Sequence, residues 1–540
     1  MANTLLDLFE KNPQLLEWRD KVTLLSRQLV MGFSGSSKAV VMASALSEQV
    51  PKILIVTSTQ NEAEQLTGDL SAILGEDKVY SFFADDVVAA EFIFASPEKT
   101  HSRLESLNFL IDKEASGVLV TSLVGTKLHL PNPKVYKDSR INLALGEEHD
   151  LEALSKHLTH IGYQRVEQVL SPGEFSRRGD ILDIYELTAE LPYRLEFFGD
   201  EIDGIRQFDS DSQKSLDNLE HVIVSPADDI ILTREDYQRA EKALESAVSK
   251  AEGPHKAYLE EVLSVTIDGY RHKDLRKFLS LFYDNAYTLF DYLPKGTPVF
   301  IDDFQKIVDR HGRLELEVAN LLTEDLHQGK SLSHLNYLVD SFKTLRNYQP
   351  ASFFSNFHKG LGNLKFDKLY QFTQYPMQEF FNQFPLLVDE IHRYTKNKAT
   401  VILQVGSEKQ LKSLKETLEE YDLDLPLSSF GDLIPHKPQL VLGNLSNGFY
   451  FADEKLVLVT EREIFHKKVK RRARASHVSN AERLKDYNEL EKGDYVVHQT
   501  HGIGQFKGIE TIEIKGVHRD YLTIQYQDAA TISLPVEQIE

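Results

Sequence analysis

The sequence predicts a multidomain α/β protein. A parallel α/β module carries an altered phosphate-binding loop and an antiparallel α+β insert, and it is followed by a further α/β domain and a small C-terminal β-barrel. Three observations lead there. At 540 residues the chain is too long for one hydrophobic core. Short apolar runs such as Lys52–Ser58 and Gly117–Leu123 alternate with stretches of helical periodicity, as strands buried on both faces of a parallel sheet require. The segments 177–203 and 486–540 instead alternate apolar with polar residues between glycine turns, the pattern of antiparallel strands with one wet face.

In chain order, residues 1–125 form the first part of the parallel module. Leu29-Val30-Met31 reads as a strand and Ala39–Leu46 as a helix, joined by Gly32-Phe33-Ser34-Gly35-Ser36-Ser37-Lys38-Ala39. This is the layout of a phosphate loop, G-x-x-x-x-G-K-[ST], with Ser37 in place of the second glycine and Ala39 in place of the Mg²⁺-binding hydroxyl. The alternative reading is a Gly/Ser-rich strand-to-helix turn with no nucleotide ancestry. A β-α unit follows, with a strand at 52–58 and a helix at 61–74, and then a strand at 117–123. Residues 126–225 form the insert, with a helix at 147–161 and strands at 177–185 and 193–203. The parallel module resumes over 226–350 with helices at 234–251 and 254–264. Its strand Pro298–Phe304 ends in Asp302-Asp303, the way a Walker B strand offers carboxylates to Mg²⁺. The further α/β domain covers 351–465, with strands at 399–405 and 455–460 and a helix at 408–421. A linker at 466–485 leads to the strand-rich 486–540.

Composition narrows the function. Without cysteine there are no disulfides and no thiolate metal sites, which suits the cytoplasm. No apolar run approaches the roughly 20 residues of a membrane span, so no membrane partner is expected. A net charge of −22 speaks against coating of nucleic acid over the whole surface. Any such contact must be local, and the linker offers the one basic block: Lys467, Lys468, Lys470, Arg471, Arg472 and Arg474 without an acid among them. His498 and His501 lack a third ligand at metal spacing, and there is no nucleophile elbow or paired catalytic carboxylate at a recognisable site.

Two stretches carry a resemblance. Ser171-Pro172-Gly173-Glu174-Phe175-Ser176-Arg177-Arg178-Gly179-Asp180-Ile181-Leu182-Asp183-Ile184, followed by Leu191 to Ile202, resembles the UvrA-binding insert shared by UvrB and the transcription-repair coupling factors. His498–Gly504 and Tyr521–Tyr526 resemble the Tudor-like RNA polymerase-interacting domain that these factors share with CarD proteins and that UvrB lacks. Together they favour the transcription-repair coupling factor (Mfd) family. That resemblance implies a UvrB-like, helicase-like module with a defunct phosphate loop, and UvrA and the RNA polymerase β subunit as partners. It also implies a longer protein, in which a later motor uses ATP and Mg²⁺ to translocate on double-stranded DNA. For the present chain it implies an adaptor without catalytic residues or cofactor, monomeric and cytoplasmic, with its UvrA surface open.

By resemblance, Arg165, Arg178 and Tyr185 face UvrA, and Arg194 and Glu196 share that polar strand face. The alternative for the last two is a simple ion pair across a solvated sheet. Tyr521, Leu522 and Thr523 would meet the polymerase, their strand pairing with an edge strand of the β subunit. The degenerate nucleotide site would comprise Gly32, Ser37, Lys38, Ala39, Asp302 and Asp303. Lys38, Asp302 and Asp303 keep a second reading open, a UvrB-like ATP-dependent helicase that handles damaged DNA. A third, a purely DNA-binding architectural protein, conflicts with the acidity outside the linker.

Overall fold

The computed structural model describes residues 4–9, 12–93, 97–355, 361, 363–466, 495–498, 502–514, 517–525 and 531–535. They fall into two compact units, residues 1–478 and 479–540. In the first unit, strands β1 (Arg27–Met31), β2 (Lys52–Thr57), β3 (Val79–Phe82) and β4 (Gly117–Ser122) start a parallel sheet. Every residue of β2 and β4 is buried, which accounts for the apolar runs Ile53–Val56 and Val118–Val120 at their centres. The helix Gln60–Leu74 between β2 and β3 is capped by Thr59, whose side chain accepts from the Glu62 N–H, and it ends at Gly75 with φ of +93°.

The chain then leaves the sheet through β5 (Ile141–Ala144) and returns through β12 (His221–Val224), which pair antiparallel as a neck. Between them lie β6 (Gln164–Arg165), β7 (Glu174–Arg178), β8 (Ile181–Ile184), β9 (Tyr193–Phe198), β10 (Glu201–Phe208) and β11 (Ser215–Asn218). They form a six-stranded sheet in the order β11-β10-β9-β8-β7-β6. Phe175, Leu182, Ile184, Leu195, Phe197, Ile202 and Ile205 pack from one sheet face against Leu151, Leu154 and Leu158 of the helix Leu151–His160. Asp150 caps that helix by accepting from the Glu152 and Ala153 amides.

β13 (Val299–Asp302), β14 (Ala351–Ser355) and β15 (Lys368–Gln371) complete the first sheet, in the order β15-β1-β14-β13-β2-β4-β3. A second sheet follows from β16 (Gln374–Pro376), β17 (Thr400–Val405), β18 (Leu427–Ser428), β19 (Pro438–Leu442), β20 (Phe449–Phe451) and β21 (Leu456–Thr460), in the order β16-β20-β21-β17-β19-β18. It shares a core with the first domain, where Ile402, Val441, Leu445, Phe449 and Leu458 join Val30, Phe33, Val40 and Met42. The second unit holds β22 (Tyr495–His498), β23 (Gly502–Ile514), β24 (Val517–Gln525) and β25 (Thr531–Pro535). Over its described residues this is a four-stranded antiparallel sheet in the order β22-β23-β24-β25, where a closed barrel was expected.

The boundaries differ from the expected ones in three places. The insert begins at Ile141 rather than at 126, because Leu128, Leu130 and Tyr136 belong to the core of the first domain. The first sheet extends to Gln371, so the further domain starts at β16 and not at 351. Segments 177–185 and 193–203 each contain a hairpin instead of one strand, because the chain turns at Gly179-Asp180 and at Gly199-Asp200. The glycines there have φ of +62° and +64°, a backbone region that other residues adopt only with strain.

Where the insert rejoins the first domain, charge fixes the junction. Asp229 accepts from Arg103 Nη1 at 2.9 Å and from Arg276 Nη2 at 2.6 Å, and Arg103 also pairs with Glu91. Arg103, Glu91 and the Asp229 carboxylate are almost fully shielded from water. Burial pushes the Asp229 pKa up, but Arg276 and Arg103 outweigh it and hold the carboxyl well below its ordinary range. Removing one partner leaves a buried charge unmatched, so Arg103→Ala should lower unfolding stability by about 3–5 kcal/mol. Urea denaturation checks this, and a loss below about 1 kcal/mol would contradict the role given to the pair.

Candidate functional site

The altered phosphate loop sits at the carboxyl end of β1, where a nucleotide site of this architecture belongs. Gly32 has φ of +97°, and a Cβ there would lie 2.0 Å from the Phe372 carbonyl oxygen, so this position has to be glycine. The helix that follows runs Ser36–Ser44 and thus starts three residues ahead of Ala39. The loop's groups are taken up by the chain itself. Lys38 pairs with Asp302 at the end of β13. The Ser37 hydroxyl is in contact with the Ser34 carbonyl at 2.9 Å and with the side-chain oxygen of Gln374. Asp303, in the left-handed region, accepts from the Lys306 amide, and Lys306 Nζ reaches Glu62 at 2.8 Å. Burial raises the Glu62 pKa, but hydrogen bonds from Lys306 and Ser58 prevail and hold it below its ordinary value.

The second α/β domain covers the start of the helix. Buried Asp69 accepts from Ser36 Oγ at 3.0 Å and from the amide and hydroxyl of Ser446 at 2.8 Å each. The Asn447 amide donates to Ser36 Oγ at 2.9 Å, and its Cβ would be 3.1 Å from a Cβ on Gly35. These residues do not fit a nucleotide–Mg²⁺ complex. The lysine is paired, Ala39 has no oxygen for a metal, and Ser446 and Asn447 occupy the approach to the helix N-terminus. Among the described residues there is no cluster of His, Asp and Glu able to hold a metal ion.

The insert offers a different kind of surface. Its sheet has one face on the helix Leu151–His160 and an outer face that carries Arg178, Asp183, Arg194, Glu196 and Arg206, since these alternate with the core residues along β7 to β10. The Asp183 side chain is completely buried and binds two cations. It accepts from Arg178 Nη2 at 2.7 Å, and from Arg194 Nε at 2.7 Å and Nη2 at 2.9 Å. The Arg194 guanidinium also lies 4.4 Å from the Phe208 ring centroid. The Asp183 hydrogen bonds raise the Arg194 pKa above its ordinary value. Arg178 remains half exposed, so its charge is fixed in direction yet open to a partner.

The expected residues therefore sit in different settings. Arg178, Arg194 and Glu196 share the outer face, but Glu196 pairs with Arg206 and not with Arg194. Arg165 is exposed on the edge strand β6, in register with the core residue Phe175, and so belongs to the opposite face. Tyr185 is only 7% exposed and packs with Val169 and Phe208, its hydroxyl donating to the Glu190 carbonyl at 3.0 Å; burial pushes its pKa up. Asp183, Arg206, Gln374, Ser446 and Asn447 were missed from sequence. Alternation alone could have placed Asp183 beside Arg194, but no local signal pairs Ser446 with a loop some 400 residues earlier.

In the second unit β24 is an internal strand. Tyr521 pairs with Glu510 and Pro535, Leu522 with Ile509 and Leu534, and Thr523 with Gly508 and Ser533. Both edges of this stretch are already paired, so it cannot add a partner's strand through its main chain, which corrects the expected mode of contact. Thr523 is buried, and its hydroxyl finds no hydrogen-bond partner among the described residues. The basic block Lys467, Lys468, Lys470, Arg471, Arg472 and Arg474 lies outside the described residues. Among those described, no helix is long and apolar enough to cross a membrane.

Comparison with known proteins gives matches in three regions. Residues 141–229 match the family model of the UvrB interaction domain, 394–464 that of the MFD D3 domain, and 490–540 that of the CarD-like/TRCF RID domain. The transcription-repair-coupling factor of Bacillus subtilis (strain 168) is 33% identical over 528 residues, covering 96% of this chain and 45% of its own length. Those of Staphylococcus haemolyticus (strain JCSC1435) and Staphylococcus aureus (strain MRSA252) are 30% and 29% identical over 522 residues, each covering 95% of this chain and 44% of their own. The chain thus spans about half the length of the curated relatives it matches.

The arrangement at Asp183 has a measurable consequence. Asp183→Ala removes the anion that two arginines share, one of them mostly buried, and should lower stability by about 3 kcal/mol. Chemical denaturation of the variant tests this; a change below about 1 kcal/mol would mean that the pairing is a solvated surface contact.

Proposed function

The chain belongs to the transcription-repair coupling factor family, and from that premise we propose that it serves as the adaptor part of such a factor, joining UvrA to RNA polymerase stalled at template-strand DNA damage. The observation that carries the proposal is the outer face of the insert. It lies in the region matching the UvrB interaction domain and presents Arg178 on a carboxylate that is itself fully buried. An arginine already oriented loses little conformational freedom on binding, which favours affinity. Arg178, Arg194 and Glu196 form the centre of the UvrA contact, and Tyr185 supports them from below. Arg165 contributes from the sheet edge.

At the other end, residues 490–540 match the CarD-like/TRCF RID domain, and this unit binds the RNA polymerase β subunit. Since β24 is paired on both sides, Tyr521, Leu522 and Thr523 act through their side chains or by holding the sheet in shape, not by main-chain pairing. The chain itself does not turn over ATP. Support comes from Lys38 being paired with Asp302, from Ala39, and from the docking of Ser446 and Asn447 at the helix start. ATP-driven translocation on double-stranded DNA resides in the part of the longer protein that lies beyond this chain.

Calorimetric titration with UvrA tests the first role. Wild type should bind, and Arg178→Ala should lose about 2 kcal/mol of affinity, as a central arginine does, with Arg165→Ala losing less. No binding by well-folded wild type would overturn the reading. A fluorescent ATP analogue with Mg²⁺ tests the last: no saturable binding in the micromolar range is expected, and saturation there would favour the helicase reading. For the polymerase contact, Leu522→Arg should abolish β-subunit binding, and unchanged binding by a folded variant would remove that assignment.

A further inference from the structure

Phe198 closes β9 at the β9–β10 turn and is 82% exposed, whereas its neighbour Phe197 is 6% exposed in the insert core. It points to the outer face, one step along β9 from Glu196 and thus in the same line as Arg194. The backbone around it is bare. Cβ atoms built on Gly179 and Gly199, in the two turns at this end of the sheet, would meet nothing within 4 Å. The Phe197 N–H donates to the Asp180 carbonyl at 2.8 Å, which brings the Gly179-Asp180 turn alongside. Next to it on β8 stands the half-buried Ile181, which pairs with both Arg178 and Glu196. The hydrophobic side chains of the six-stranded sheet that serve the core are almost fully buried, so Phe198 contributes nothing to that packing.

We infer that Phe198 is the aromatic anchor of the insert's partner surface. It enters an apolar pocket on the partner protein, whose rim supplies an acidic group to Arg178 and a hydrogen-bond donor or cation to Glu196. An exposed aromatic ring flanked by an arginine and a glutamate has the composition of an interface centre: the ring gives apolar area at small entropic cost, and the charges around it set orientation. The surface is continuous with the face assigned above, and this inference rests on that reading, with UvrA as the occupant.

The test is UvrA titration of the full chain with Phe198→Ala, Phe198→Asp and Phe198→Trp, beside Arg178→Ala. Thermal unfolding and sedimentation of each variant are run in parallel. The variants should unfold as wild type does, since the ring lies outside the core. Alanine should weaken binding roughly 30-fold and aspartate more, while tryptophan keeps most of it. If Phe198→Ala binds like wild type while Arg178→Ala is weakened, the anchor is wrong and the arginine face stands. If wild type fails to bind UvrA, the underlying reading falls and the anchor with it. If wild type forms a concentration-dependent dimer that Phe198→Asp abolishes, the occupant is a second copy of this chain, which also overturns the inference.

Discussion

A charge taken out of water must be matched, and in this chain that requirement decides how the parts are joined. Asp229 is matched by Arg103 and Arg276 and ties the end of the insert to the first domain. Asp69 is matched by the hydroxyls of Ser36 and Ser446 and by the Ser446 amide, and so binds the second α/β domain to the start of the helix Ser36–Ser44. Asp183 is matched by Arg178 and Arg194 and gives the outer face of the insert its form. In each case the apolar core supplies stability without direction, and the buried carboxylate supplies the direction.

In the loop of the first domain the polar groups are answered from within the chain. In a motor, the lysine and the helix start face a nucleotide that comes and goes, so that two domains can close and open. Here Asp302 answers the lysine, Gln374 the serine, and Ser446 with Asn447 the helix start, so the second domain is joined to the loop by direct polar contacts. The insert, carried on the β5–β12 neck, has a hydrophobic core of its own beneath its outer face.

Much of this was legible in the sequence, and the limits have physical reasons. The buried strands β2, β4, β13 and β17 announce themselves because a strand covered on both faces carries a continuous apolar run at its centre. The altered loop was readable because Ser37, Lys38 and Ala39 are contiguous. The hairpins at Gly179 and Gly199 were read as single strands because alternation runs through a two-residue turn almost unbroken. The boundaries at 141 and 374 are not legible in the sequence because the pairing of β14 and β15 with β1, and the packing of the segment 126–140 in the first core, are long-range. The burial of Tyr185 is not legible locally, because Val169 and Phe208, which cover it, lie elsewhere in the chain.

The central claim is that buried Asp183 arranges the arginine that the partner reads. A double-mutant cycle on UvrA affinity, with Asp183→Asn, Arg178→Ala and the pair, tests it most directly. The account predicts strong coupling: each single change weakens binding, and the double change costs clearly less than their sum, by about 1 kcal/mol or more. Additive losses, or an Asp183→Asn variant that binds like wild type, would show that the buried carboxylate holds the sheet alone and takes no part in recognition.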